Sequence, residues 1–544
     1  MNTCIAAPVV LCERPLSPLR NATASRLRSE IAVGACVAAV VVGIAARLWQ
    51  IDLVFLYSDE SFTWRVCRLP FTEMLQRVGA DTLPPLHFVM LKAWMAMFGD
   101  APWALRAPSI LAGLICIPVM YFIVKEACRF HPRASRGAAL AAMLMSVNAV
   151  QITHSRIARP YPLAELAGLC ATWLLLRALR QSRKVAKGEL VQPSPGNAWW
   201  WTAYGTVAGL FCLGHHFAFF TLVAHGVVAL GMATCLAMKR QRELAKSTLL
   251  GMAAAVLAAM VVYSPWLPVL MAQAQRTKAW FWVPSRGFAA TLSAMYEWNV
   301  GRPPESAWLT GALLIGLVAG AVVLMRRAAL AGSLFGLMVT LPWLCTLAIS
   351  GLAGRPLLQE RYLLFADAGL LMLLGGVYVV LNSNATRFAY LATLGLLFLP
   401  ATAAYMCSLP TDTPAMEKAM NSLRNQYRDG DVVTVSLPQT VNIAKYYSHR
   451  AGFEVDARVY LTHVAEGGQP IHTTSLQAAE LLADGPHAPP ADCVRWWRLE
   501  VQEPFANSRD GWRLESHQEF TGPPATREVA GSHQVSLTLF TRDP

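Results

Sequence analysis

The chain has 544 residues, of which 55% are hydrophobic and only 15% charged, and its formal net charge is +13. An ordinary soluble globule, with about 25% charged residues, is excluded by this composition. So is a nucleic-acid-binding surface, because the Arg and Lys residues lie mostly in short gaps between apolar runs, the pattern of a polytopic membrane protein oriented by its basic loops.

Residues 1–30 carry Arg14, Arg20, Arg26 and Arg28, and no small-residue cleavage site follows the apolar run 31–46. The run is therefore read as a retained first span, with 1–30 as a cytoplasmic tail. Runs of about 20 apolar residues suffice to cross a bilayer. With Arg and Lys assigned to the cytoplasmic loops, 31–48 leads outward and 105–124 returns to "KEACRFHPRASR". The pairs 137–152 and 163–179, 199–213 and 217–238, 249–266 and 309–325, and 330–350 and 362–381 follow in the same way, each second member ending at basic residues. A last span at 388–407 puts the C-terminal part outside, which makes about eleven spans. Segment 84–98, "PPLHFVMLKAWMAMF", is too short for a comfortable span and has Lys92 in its middle, so it reads as an amphipathic helix in the outer interface, within an external loop 52–103.

The transmembrane part is thus 31–408, and after Cys407 the character changes. Val432 to Val435 and "HQVSLTLFTR" read as strands beside polar helical stretches, so 409–544 is expected to be a soluble α/β domain on the outer side, with a Pro/Gly-rich linker at 485–490. Most of the 12 cysteines lie within apolar runs, and neither a disulfide framework nor a CxxC metal site is visible.

The unusual polar residues collect in the outer loops: "YSDES", "GADTLPPLH", "HSRIARPYP", "GHHF", "QAQRTKAWFW" and "GRPLLQERY". Asp59 and Glu60 are either solvated loop acids or, held near the membrane surface, carboxylates whose burial suits them to act as bases. Asp81 is either a helix-capping residue or a second acid of the same site. Arg156, Arg159, Arg276, Lys278, Arg355 and Arg361 stand outside against the positive-inside bias and call for an anionic partner. His215 and His216 read as a polar turn rather than a metal site, although carboxylates near His216 leave a divalent metal open; no other cofactor is indicated. Trp280, Phe281 and Trp282 fit an interfacial aromatic belt, with tryptophan stacking on a sugar as the alternative. Outer acids together with outer cations suggest an anionic lipid headgroup meeting a hydroxyl acceptor, and no nucleotide-binding glycine loop is present.

The ordered set "YSDES", "DTLPPLHFVMLKAWMAMFG", "WALRAPSILAGL", "HSRIARPYPL", "YSPWLPVLMAQAQ" with "FWVP", and "QERYLLFAD", over about 52–367, resembles bacterial glycosyltransferases of the GT-C fold. It is most similar to glycosyltransferase family 39, which contains protein O-mannosyltransferases and aminoarabinose transferases. The resemblance implies inverting transfer of a sugar from a polyprenyl-monophosphate donor to a hydroxyl on a lipid, glycan or protein, at the extracytoplasmic face of a bacterial inner membrane. It places Asp59 as the catalytic base, with Glu60 and Asp81 as the accompanying acids, and Arg156, Arg159, Tyr161, Arg361 and Tyr362 toward the donor phosphate and lipid, to which Lys278 is also assigned as an outer cation. Where relatives resembling the aminoarabinose enzyme have Glu-Lys, this chain has Asp81-Thr82-Leu83, so that lysine has no counterpart. The alternatives are a polytopic transporter and a lipid-linked glycan ligase or polymerase.

Overall fold

The computed structural model describes residues 18–186, 198–279, 286–301, 307–354, 356–410, 412–435, 438–455, 457–459, 493–501, 513–521 and 534–541, at some element ends by backbone alone. Arg355, the aromatic stretch 280–282, the linker 485–490 and the side chain of Lys278 lie outside the described residues.

A long helix α1 (Pro18–Leu48) precedes three short helices of the first loop, α2 (Ser58–Arg68), α3 (Phe71–Ala80) and α4 (Leu86–Phe98). The bundle continues with α5 (Pro102–Ala127), α6 (Ala134–Val147), α7 (Ala149–Ser155), α8 (Tyr161–Ala186), α9 (Ala198–Gly214), α10 (Ala218–Met238) and α11 (Arg242–Tyr263). It closes with α12 (Leu267–Ala279), α13 (Phe288–Val300), α14 (Ala307–Arg327), α15 (Ala329–Ala353), α16 (Leu364–Val380) and α17 (Asn384–Cys407). Among the described residues, seven helical stretches are long and apolar enough to cross a membrane: Glu30–Leu48, Pro102–Ala127, Tyr161–Arg180, Ala218–Met238, Arg242–Arg276, Ala329–Ala353 and Asn384–Cys407. Apolar side chains such as Val37 and Val41 of α1 and Val256, Leu257 and Val261 of α11 face outward, as a lipid-facing belt requires.

The expected span at 137–152 is corrected: the chain breaks at Asn148, whose extended backbone ends α6 and whose side chain accepts from the Gln151 N–H to start α7. Helix α6 packs on α16 where Gly137 and Gly375 face each other; a Cβ on either would run into the other's carbonyl oxygen. The basic loop ends gather at one face of the bundle: Arg133 and Arg327 both donate to carbonyls at the end of α16, and Arg180 pairs with Glu126. The first loop lies at the other face. The helix expected at 84–98 forms as α4, closed by Gly99 at φ +74, and Lys92 turns inward to donate to the Cys67 and Leu69 carbonyls at the end of α2.

Beyond the bundle lie α18 (Ala415–Gln426), β1 (Val432–Val435), α19 (Pro438–Arg450), β2 (Ala457–Val459), β3 (Arg495–Val501), β4 (Arg513–Thr521) and β5 (Gln534–Thr541). The sheet order is β2-β1-β3-β5-β4, with β1 parallel to β2 and β3 and the remaining pairs antiparallel. Trp496 and Trp497 are fully buried there, and their ring N–H groups are satisfied by Thr434 Oγ1 and Asp431 Oδ2.

Helix α19 packs on α2. The Leu56 N–H donates to the Tyr447 hydroxyl at 2.9 Å, Phe55 stacks on the Tyr447 ring, and Arg65 donates to Asn442 Oδ1 at 3.0 Å. The sheet domain therefore buttresses the short helix that carries Asp59 and Glu60. Tyr447→Phe is expected to leave the buried Leu56 N–H without its acceptor and to lower stability by about 1–3 kcal/mol, read as the midpoint of thermal unfolding of the purified protein. An unchanged midpoint would show that another acceptor replaces the hydroxyl.

Candidate active site

Asp59 and Glu60 occupy the first turn of α2, where the helix dipole favours anions. Their environments differ completely. Glu60 is fully buried and forms a two-pronged ion pair with Arg106 of α5, Nε to Oε1 at 2.9 Å and Nη2 to Oε2 at 2.8 Å. Its Oε1 also accepts from the Ala158 N–H at 2.8 Å, while Arg106 donates to the carbonyls of Ile51, Val54 and Phe55. Glu60 thus ties the first loop to α5 and to the turn before α8.

Asp59 is partly exposed, and its Oδ2 faces two guanidinium groups, Arg361 Nη1 at 2.8 Å and Arg159 Nη2 at 3.6 Å. Arg159 also donates to the Asp59 carbonyl and to Thr63 Oγ1, both at 3.2 Å. Its loop is pinned because Ser109 Oγ donates to the Arg159 carbonyl and His87 Nε2 to the Ala158 carbonyl. Burial alone would raise the Asp59 pKa, but Arg159 and Arg361 outweigh it and hold the carboxyl below its ordinary range.

Asp81 closes α3 and takes a hydrogen bond from Thr82 Oγ1 at 3.5 Å. Burial lifts its pKa above the ordinary value; Arg159 opposes this and the nearby Asp59 charge adds to it. The two carboxyl groups therefore have affinities for protons pushed in opposite directions. The Asp81 turn is held from α12: Gln273 donates to the Val78 and Leu83 carbonyls at 3.2 and 3.3 Å, and Arg276 donates to the Gly79 carbonyl.

Tyr161 and Tyr362 lie with Val150, Ile157 and Leu364 in one buried cluster, beside Tyr57 and Phe217. The guanidinium of Arg159 is 6.0 Å from the Tyr161 ring and that of Arg361 is 5.9 Å from the Tyr362 ring. Arg156 stands apart: it donates to the Ala46 and Arg47 carbonyls at the end of α1 and bonds Tyr405.

The histidine turn is built in rather than loose. His215 is buried between Tyr161, Tyr362 and Phe365, and its Nδ1 accepts from the Phe217 N–H at 3.2 Å, which places the ring proton on Nε2. Burial, His216 and the two arginines push its pKa well below the usual value, so the ring is neutral. His216 is engaged at both nitrogens, by Gln273 Oε1 at 3.0 Å and the Tyr263 hydroxyl at 3.3 Å, and burial lowers its pKa to about 4. Among the described residues no group of three or more His, Cys, Asp or Glu side chains is arranged to hold a metal ion.

A polar group next to the site escaped the sequence reading. Gln151 Nε2 donates to Glu165 Oε1 at 2.9 Å and to Asp367 Oδ2 at 2.7 Å, and Asp367 Oδ1 accepts from Asn148 at 3.4 Å. Both carboxylates are fully buried near the starts of α8 and α16. The signal was available, since acids inside the runs 163–179 and 362–381 are costly in a membrane and mark function or pairing.

No protein-family model matches the sequence, and no curated protein matches it. Solved structures are similar in fold. ArnT from Cupriavidus metallidurans in the apo state is 12% identical, with a TM-score of 0.52 covering 93% of this chain and 98% of that one. The same protein bound to undecaprenyl phosphate is 12% identical, with a TM-score of 0.51 over 92% and 97%. The Archaeoglobus fulgidus oligosaccharyltransferase in complex with Zn and sulfate is 12% identical, with a TM-score of 0.47 covering 76% of this chain and only 61% of its own length. The chain has the GT-C fold, with a small sheet domain.

Proposed function

We propose that the protein is an integral-membrane glycosyltransferase that moves a sugar from a polyprenyl-monophosphate donor to a hydroxyl acceptor. By the positive-inside rule the site, opposite the basic loops, lies on the extracytoplasmic side, and the resemblance in the sequence points to a bacterial inner membrane. The carrying observation is the Asp59 carboxylate gripped by Arg361 and Arg159, cations at the outer ends of apolar helices with an anion between them. The fold is that of a protein seen bound to undecaprenyl phosphate, which supports a lipid-phosphate ligand.

The chemistry follows from this grip. A donor phosphate brings its own negative charge to Arg361 and Arg159 and competes with Asp59 for them. Asp59, losing cationic partners, becomes a stronger base as the donor binds. The acceptor hydroxyl oxygen attacks the anomeric carbon from the face opposite the phosphate, its proton passes to Asp59, and the carbon–oxygen bond to phosphate breaks. The leaving phosphate monoester is neutralised by the arginines, so no strong general acid is needed. Asp81 accepts a hydrogen bond from a second polar group of the acceptor and so orients the attacking hydroxyl toward Asp59. Glu60 acts through the fold, by fixing α2 against α5, and Tyr161 and Tyr362 wall the arginine pair.

Arg361→Ala in the purified protein is expected to weaken polyprenyl-phosphate binding at least tenfold, in line with about 1.5–3 kcal/mol for a charge-assisted hydrogen bond, with Arg361→Lys in between. Unchanged affinity would remove Arg361 from the donor site. Donor assays with monophosphate and diphosphate carriers separate this reading from a glycan ligase, and sugar uptake into vesicles without covalent transfer would favour a transporter.

A further inference from the structure

At the face opposite Asp59, a cavity of about 240 Å³ opens between the ends of α5, α8 and α10 and the α14–α15 turn. Its distance from the donor site follows from α5, whose Arg106 and Glu126 are 20 positions apart and hence about 30 Å along the helix, the thickness of a bilayer's hydrocarbon core. Three arginines, Arg129, Arg180 and Arg327, line the cavity, and Glu126 is the only acid among the described residues of its wall. Glu126 is shared by Arg129 at 3.2 Å, Arg180 at 3.2 Å and Arg177 at 3.6 Å, so one carboxylate faces three cations. The Arg327 guanidinium is held by neutral acceptors, the Val380 carbonyl at 2.7 Å and Asn382 Oδ1 at 2.5 Å. The rest of the lining includes the apolar side chains of Leu176, Leu179, Met232 and Leu330. At the rim, Phe130 is 79% exposed with the Arg129 guanidinium 4.6 Å from its ring centre.

We infer that this cavity binds the phosphodiester headgroup of an anionic phospholipid, with an acyl chain along the apolar side chains of its lining. The excess of guanidinium charge selects the phosphate, because planar guanidinium forks match its oxygens and are more weakly hydrated than ammonium groups. A pocket that joins this charge to apolar side chains at the level of the helix ends matches an amphiphile better than a free anion. The site is separate from the proposed donor site and does not depend on it.

The test uses the full-length protein, delipidated in a neutral detergent. Dioleoylphosphatidylglycerol is expected to raise the thermal midpoint and to survive as a bound adduct in native mass spectrometry at least tenfold more than dioleoylphosphatidylcholine. Equal retention of the two lipids would overturn the inference, and so would inorganic phosphate reproducing the phosphatidylglycerol shift at the same concentration, since the ligand would then be a free anion. Arg129→Gln/Arg180→Gln is expected to remove most of the retention, whereas Lys239→Gln/Arg240→Gln, basic residues outside the cavity lining, keeps it. Equal loss in both would assign the effect to general surface charge and defeat the proposal. Glu126→Gln, which removes this acid and leaves the arginines, is expected to increase phosphatidylglycerol retention several-fold; unchanged or weaker retention would count against the site even where the double variant does not fold.

Discussion

Asp59→Asn is expected to lower sugar transfer from a polyprenyl-monophosphate donor by about 10²–10⁴-fold, the usual contribution of a positioned proton acceptor, while leaving the protein folded. The substitution keeps the size of the side chain and its place in the first turn of α2 but removes the charge between Arg361 and Arg159. Donor binding should survive or tighten, because the internal competitor for the arginines is gone. A loss confined to turnover therefore marks the base, and near-normal turnover removes Asp59 from that role. The pH dependence gives a second readout. The arginines depress the folded-state pKa of Asp59, so its contribution to stability is fully present above the ordinary carboxylate value of about 3.9 and is lost as pH falls through the lower folded value. The wild-type stability curve should accordingly show an acid-side loss that is reduced in Asp59→Asn. Asp81 has the opposite sign: its raised pKa makes the ionised form scarce at a higher pH than for an ordinary carboxylate. An acid limb of turnover lying above the usual carboxylate range should therefore disappear in Asp81→Asn.

The largest effect on stability is expected at Arg106. Arg106→Met leaves Glu60 as a buried charge without its partner and frees three carbonyls, and breaking a buried pair in this way costs about 3–5 kcal/mol. Thermal unfolding of the purified protein measures it. The double variant Arg106→Met/Glu60→Leu should recover part of the loss, since a buried ion pair replaced by apolar groups is often tolerated. It should not recover all of it, because the carbonyls of Ile51, Val54 and Phe55 remain without their donor and the Ala158 N–H without its acceptor. Full recovery would mean that the guanidinium contributes only through Glu60, and a wild-type midpoint for Arg106→Met would dismiss the pair as a support of the first loop.

The apolar runs were legible because a bilayer imposes the same demand on every span, and the structure returns helices at most of them. The break at Asn148 was not, since a residue that caps one short helix and ends another leaves the hydropathy of 137–152 nearly unchanged. "YSDES" announced a charged pair after the first span, yet the neighbours of the two acids came from elsewhere: Arg106 for one, Arg361 and Arg159 for the other. Glu60 and Arg156 drew attention as unusual charges outside the bundle, and the structure sets both against backbone and partner groups deep in the packing. His215 read as part of a polar turn, and its tautomer follows only from the Phe217 N–H that faces it.

By itself the order of residues determined the membrane class, the alternation of basic and non-basic loops and the kinds of side chain offered on each side, because hydropathy and charge are local properties that solvent and lipid read directly. Tertiary structure alone decided which charges meet. Asp59 and Arg361 are 302 positions apart and 2.8 Å from contact atom to contact atom, and the sheet domain reaches back over hundreds of residues to brace the start of the helix that carries Asp59. Such pairings depend on helix crossings set by close approach, as at Gly137 and Gly375, and on the register of each turn, quantities that emerge only when the whole bundle is packed.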